Sequence, residues 1–233
     1  MSRSEVWPEL LTVAEEQWGL LTTRQVEVAG MAWSTVARMV RDGVLVRVAR
    51  GVYRVRGAGE PDHLELRAAW LQLDPGTPVW ERGAGEGVVS HRSAAVLYGL
   101  GDLPADVHEF TLPRRKQSRR HDVRLHRADV GDGDWTWRQG LPATRPGRIA
   151  ADLLAVREDP GAVGQVIADA LRGAYDYPGS VADTIAPHAA ALGVRRGDGV
   201  GLLRWLLELS GDPEREVWLR EAADSLVRTE ATG

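Results

Sequence analysis

The chain of 233 residues contains no cysteine. Disulfide staples, thiolate metal sites and cysteine nucleophiles are thereby excluded, and the composition suits a reducing compartment. Long apolar runs are missing as well. No stretch approaches the roughly 18–20 residues that cross a bilayer, so no membrane partner is expected. The opening MSRSEVWPELL lacks the charged-then-apolar layout of a secretory leader, and the expected location is cytoplasmic. Lysine is nearly absent, with Lys116 alone against 28 arginines. The Gly-Lys-Ser/Thr phosphate loop is missing, and Lys116 stands by itself in a basic loop, which argues against a Glu-x-Lys nuclease.

Other chemistries fail on spacing. There is no His-x-x-x-His pair for zinc. Asp132-x-Asp134 begins like a calcium loop, but its twelfth position is Ala143 instead of glutamate. The Gly83-x-Gly-x-Gly87 and Gly197-x-Gly-x-Gly201 runs lack the spacing of a dinucleotide loop. Ser90-His91 invites a nucleophile reading, yet Gly-x-Ser-x-Gly is missing and adjacent helical residues do not face each other. Ser90 reads as a helix cap and His91 as a packing residue. No catalytic residue, no metal and no cofactor is expected.

Net charge is −4, but it is unevenly spread. Residues 24–56 hold seven arginines against two acids, whereas residues 128–233 hold 11 basic and 17 acidic residues. A basic segment within a near-neutral chain is the electrostatic footprint of a phosphate-binding surface.

Hydrophobic periodicity gives that segment a shape. Residues 6–18 read as an amphipathic helix, with Trp7, Leu11, Ala14 and Trp18 on one stripe. Thr22-x-x-Gln25 is a capping box that opens a short helix through Ala29. A third helix spans Ser34 to Asp42, with Val36 and Val40 inward, Met39 flanking, and Ser34, Arg38 and Arg41 on the opposite side. Two alternating strands follow, Val44–Val48 and Val52–Val55, joined at Arg50-Gly51. Three helices and a two-stranded ribbon make a winged helix-turn-helix, whose third helix enters the major groove by its N-terminal end. The bland alternative is a helical interaction module with solvated arginines.

The stretch TTRQVEVAGMAWSTVARMVRDGVLVRVARGVYRV resembles the N-terminal domain of AbiEi-type antitoxins. So do SHRSAAVLYGL, FTLPRRKQSRR, RLHRA and LPATRPGRIAADLLA downstream. The resemblance runs from about residue 8 to 175 and is carried by the ordered series. It implies a bacterial protein of a type IV toxin–antitoxin system, with a winged-helix domain that represses its own operon. A C-terminal domain then counteracts a nucleotidyltransferase-type toxin. Carried over, Ser34, Thr35, Arg38 and Arg41 become recognition-helix contacts to double-stranded operator DNA, and Arg47, Arg50 and Arg54 become wing contacts. Trp33 departs from the small or basic residue expected there and is open to two readings, stacking on sugar or packing. A stand-alone winged-helix regulator with a sensing or dimerisation domain is the alternative.

The expected fold class is α+β: a winged helix-turn-helix, then a small mixed sheet with a mostly helical C-terminal part. The expected domains are 1–56 for DNA binding, 57–61 as linker and 62–233 as the antitoxin or interaction domain. Within the latter, helices are expected at 62–73, 90–98, 146–157, 160–174, 179–192, 199–210 and 213–228. Strands are expected at 107–112, 123–127, 134–138 and 141–144. The loop Pro113 to His121 carries Arg114, Arg115, Lys116, Arg119 and Arg120. It reads equally as a second contact to nucleic acid or partner and as a solvated hairpin tip. Trp135 and Trp137 share one strand face, either as core or as a stacking surface.

Overall fold

The computed structural model describes residues 3–230. The chain divides into two compact units, Met1–Gly87 and Val88–Gly233. Mixed helix and small sheets make both, as expected for α+β.

The first unit runs α1 (Arg3–Glu16), β1 (Leu20–Thr22), α2 (Thr23–Val28), α3 (Trp33–Arg41), β2 (Leu45–Ala49), β3 (Val52–Val55) and α4 (Leu64–Leu73), then two single 3-10 turns at Val79–Glu81 and Ala84–Glu86. The strands form an antiparallel sheet in the order β1-β3-β2. This is winged-helix topology. The three-residue β1 is too short to show a period, and the sequence reading missed it.

Register decides which side chains share a face. Leu21 pairs with Tyr53, Leu45 with Val55, and Arg47 with Tyr53. Leu21, Leu45 and Tyr53 point to one side, where they join Val6, Leu10, Ala14, Val26, Met31, Val36 and Met39 in a single core. The stripe of α1 is therefore Val6, Leu10 and Ala14, not the one through Trp18. The helix stops at Glu16, and Trp18 takes a left-handed φ of 62° beyond it. Its ring meets Trp70 edge-on at 6.1 Å, with the Arg67 guanidinium 4.5 Å from its centroid.

On the other face of this sheet Leu20 and Val52 are fully buried, and α4 packs across all three strands. Helix α4 thus belongs to the first unit, and the boundary falls at residue 87 instead of at a 57–61 linker. Arg82 fixes the C-terminal end of α4. Its buried guanidinium donates to the carbonyls of Trp70 at 2.9 Å and Leu71 at 3.0 Å, and to that of Asp74. It also lies 4.6 Å over the Trp70 ring. Desolvation lowers its pKa to about 10.

The second unit runs β4 (Val88–Val89), α5 (His91–Tyr98), β5 (His108–Leu112), β6 (Val123–Arg127), β7 (Trp135–Arg138), β8 (Leu141–Thr144), α6 (Pro146–Ala155), α7 (Pro160–Arg172), α8 (Pro178–Ile185), α9 (Gly199–Leu209) and α10 (Arg215–Glu230). The strand order is β6-β5-β4-β8-β7. The two-residue β4 lies at the centre, antiparallel to β5 and parallel to β8. Val88, Val89, Phe110, Leu112, Leu141 and Ala143 fill the interior beside it. The expected helix 179–192 tightens into a 3-10 turn at Ala186–Leu192, where Pro187 supplies no N–H. Helices α7 and α9 approach so closely that a Cβ on Gly164 would lie 2.1 Å from the Leu206 carbonyl oxygen.

Candidate nucleic-acid interface

Helix α3 presents three stripes at helical spacing. Val36 and Met39 are buried. Ser34, Arg38 and Arg41 are exposed on the outer face, with Thr35 half-buried beside them. Trp33, Ala37 and Val40 form a third stripe, turned towards the ribbon of β2 and β3, where they line a groove of about 540 Å³ together with Arg47, Arg50, Gly51 and Tyr53. Ala32 precedes α3 and offers no side-chain cap, whereas α2 carries the full Thr22/Gln25 capping box. An N-terminus without a side-chain acceptor presents positive dipole and N–H groups that suit an anion.

The ribbon is short and braced. Arg50 and Gly51 make its turn, and Gly51 holds φ at +74°, a conformation that costs glycine little. Thr23 N donates to the Gly51 carbonyl at 2.8 Å, and Gln72 Nε2 donates to the Arg50 carbonyl at 2.6 Å. Behind the brace, Gln17 and Gln25 exchange amide hydrogen bonds of 2.8 and 3.0 Å, both side chains buried. Arg50 therefore projects from a tip anchored by α2 and by the loop and helix that follow the ribbon. Sequence reasoning missed Gln17 and Gln72. A polar residue at the end of α1 and another on α4 carry no local signal of a partner so distant in the chain.

Of the seven residues expected to contact DNA, the structure gathers Ser34, Arg38 and Arg41 on α3, with Thr35 at their edge, and Arg47 and Arg50 across the groove. Arg54 does not join them. It alternates with Tyr53, so it emerges on the α4 side of the sheet, where its guanidinium meets Glu60 at 3.1 Å and the Ala58 carbonyl at 3.2 Å.

In the second unit the segment between β5 and β6 is not a hairpin tip. The two strands are parallel, pairing His108 with Val123 through Leu112 with Arg127. Residues 113–122 therefore run back along the whole strand as a return connection. Arg114, Arg115 and Arg119 are exposed on it, while Lys116 is half-buried and lines a groove of about 370 Å³ with Gln117, Ser118, His121 and Arg124. Arg120 is bonded to Asp122 at 2.8 Å, and this guanidinium holds the Asp122 carboxyl down at about 2.

Ser90 does not cap α5. Its side chain is fully buried, accepts from Thr111 Oγ1 at 2.8 Å and lies 2.9 Å from His91 Nδ1. The cap comes from β5, where Glu109 Oε2 accepts from Arg92 N at 3.1 Å. Both side chains of the Ser90–His91 pair are buried. Trp135 and Trp137 meet edge-on at 5.9 Å, Trp135 half-buried and Trp137 exposed. Among the described residues, no group of three or more His, Asp or Glu side chains is placed to hold a metal ion, and no helix is long and apolar enough to cross a membrane.

Residues 8–56, from α1 to the end of the ribbon, match the family described as "Transcriptional regulator, AbiEi antitoxin". The match covers the stretch that builds the candidate interface, and the description is of a regulator and not of an enzyme. No curated protein matches the chain.

Proposed function

We propose that this chain is a non-catalytic, cytoplasmic antitoxin of the type IV class that binds operator DNA and represses its own operon. Its first unit sets α3 into the major groove, where Ser34, Arg38 and Arg41 meet base edges and phosphates. Arg47 and Arg50 meet the neighbouring backbone from the ribbon. Residues 88–233 counteract a nucleotidyltransferase-type toxin, with the 113–122 connection offering a cationic surface to nucleic acid or to the partner.

The observation that carries this reading is the placement of Ser34, Arg38, Arg41, Arg47 and Arg50 on two facing elements of a winged helix, within the stretch that matches a regulator family. A mobility-shift titration of the whole chain on the DNA upstream of its own gene tests the first half. The reading expects a salt-sensitive shift that Arg38→Ala and Arg50→Ala each weaken, and is lost if wild type gives none. Co-expression with the adjacent gene tests the second half. Toxicity of that neighbour alone, relieved by this chain, supports it, and a harmless neighbour removes it.

A further inference from the structure

Trp33 stands at the first position of α3 and is 56% exposed. A lone exposed ring would need no explanation, but this one is continuous with Ala37 and Val40 along a groove. The ring is not loose. Its centroid lies 6.5 Å from that of the buried Tyr53, with the planes inclined by 55°. With Ala37 and Val40 it forms one wall of the groove between helix and ribbon, and Arg47 and Arg50 stand on the other side. One wall has almost nothing with which to read a base edge, and the other is cationic. A nucleic-acid strand carries the same two chemistries in alternation, apolar sugar faces and anionic phosphates.

We propose that this groove is the track for one strand's sugar–phosphate backbone, with deoxyribose packed against Trp33 and phosphates held by Arg47 and Arg50. The inference rests on the DNA-binding reading above and adds to it a residue that contributes affinity without sequence preference. Glu27, paired with Arg24 at 3.4 Å, lines the same groove and sets the limit of the cationic stretch.

The test uses the whole chain and two duplexes of equal length, its own upstream DNA and an unrelated sequence, with affinities measured across a salt series. Trp33→Ala is expected to weaken both duplexes by the same factor, about tenfold for the apolar area a ring and a sugar cover together. The salt slope stays unchanged, because no phosphate contact is lost. Trp33→Phe retains most of the affinity, and thermal unfolding of the alanine variant matches wild type. Arg47→Ala and Arg50→Ala instead flatten the slope. Wild-type affinity of Trp33→Ala on both duplexes overturns the proposal. So does a loss confined to the upstream duplex, above all one reproduced by replacing thymine with uracil, since that assigns Trp33 to a base edge. If wild type binds neither duplex, the DNA-binding reading itself falls, which is a different result from binding that ignores Trp33.

Discussion

The imidazole rings of His91 and His126 lie stacked, with centroids 3.6 Å apart and planes inclined by 15°. His91 opens α5 in a left-handed conformation, φ 53°, and is almost wholly buried. His126 Nε2 lies 3.1 Å from Glu109 Oε1, and the same carboxylate caps α5 through Arg92 N. Two strands and a helix N-terminus are therefore joined through one polar cluster. Burial, then the neighbouring His126, push the His91 pKa down to about 4, with Arg148 and Arg124 acting in the same direction and Glu109 against it.

A histidine depressed in the folded state binds its proton first in the unfolded chain. Its contribution is complete above an unfolded pKa near 6.5 and is lost as pH falls from there towards 4. The second unit should lose about 2 kcal/mol between pH 7 and pH 5. Glu109, held below its ordinary range, adds a loss of the same sign only at more acid pH. Denaturant unfolding at the two pH values checks this. His91→Asn suits the left-handed backbone and removes this titration, so the loss over the interval should shrink markedly, the remainder coming from His188, whose pKa burial also lowers. An unchanged pH dependence in that variant would show that His91 is not the group responsible.

Arg82 makes a second prediction. Its guanidinium serves several carbonyls at the end of α4 while buried against Trp70. Arg82→Met keeps the volume but leaves those carbonyls unserved, and should destabilise the first unit by about 3 kcal/mol. Arg82→Lys should recover little, because an ammonium lacks the planar fork. Chemical denaturation followed by the Trp70 fluorescence environment reads both, and equal stability of all three proteins would contradict the role.

A third concerns Gly164. A methyl group there meets the Leu206 backbone carbonyl oxygen at 2.1 Å, and backbone cannot swing aside as a side chain could, so α7 and α9 must separate. Gly164→Ala should lower the thermal midpoint of the second unit, with a loss of about 2–3 kcal/mol. Gly133, with nothing near its Cβ position, serves as a control in which alanine leaves the midpoint where it was.

A fourth separates the arginines of the ribbon. Arg54 faces away from α3 and is engaged by Glu60 and Ala58. Arg54→Ala should leave the salt slope of duplex binding as in wild type, whereas Arg47→Ala should reduce it by about 1. The converse pattern would place the duplex on the α4 side of the sheet.

Much of the candidate interface is legible in the residues alone. The 3.6-residue period separates Val36 from Ser34, Arg38 and Arg41, and Arg50-Gly51 between alternating strands marks the turn. The period puts Val40 inward and Met39 at the flank, whereas Met39 is the buried one and Val40 lines the groove beside the ribbon. The face of Arg54 was legible in principle: a tyrosine destined for the core puts its neighbour on the far side of the strand. What stayed hidden depends on pairing over distance. Leu20–Thr22 and Val88–Val89 are too short to show a period, although the first completes the ribbon sheet and the second lies at the centre of its own. The Gly-Ala-Gly-Glu-Pro segment has the composition of a hinge and serves as a turn inside a unit, because Gln72 bonds α4 to the Arg50 carbonyl of the ribbon and Trp70 meets Trp18 ahead of β1. A ten-residue basic segment between strands looks like a hairpin, and only the register of His108 with Val123 shows the strands to be parallel. The cap on α5 comes from Glu109, 17 residues beyond Arg92, where no capping pattern reaches.

The central claim is that α3 and the ribbon together hold duplex phosphates. Its most direct test is the affinity of the whole chain for its upstream duplex as a function of salt, for wild type and for Arg38→Ala, Arg47→Ala and Arg50→Ala. Four arginines in contact predict that log affinity falls by about 3–4 for each log unit of salt in wild type, and by about 1 less in each variant. A flat salt dependence in wild type, or three variants that bind with the wild-type slope, would contradict it.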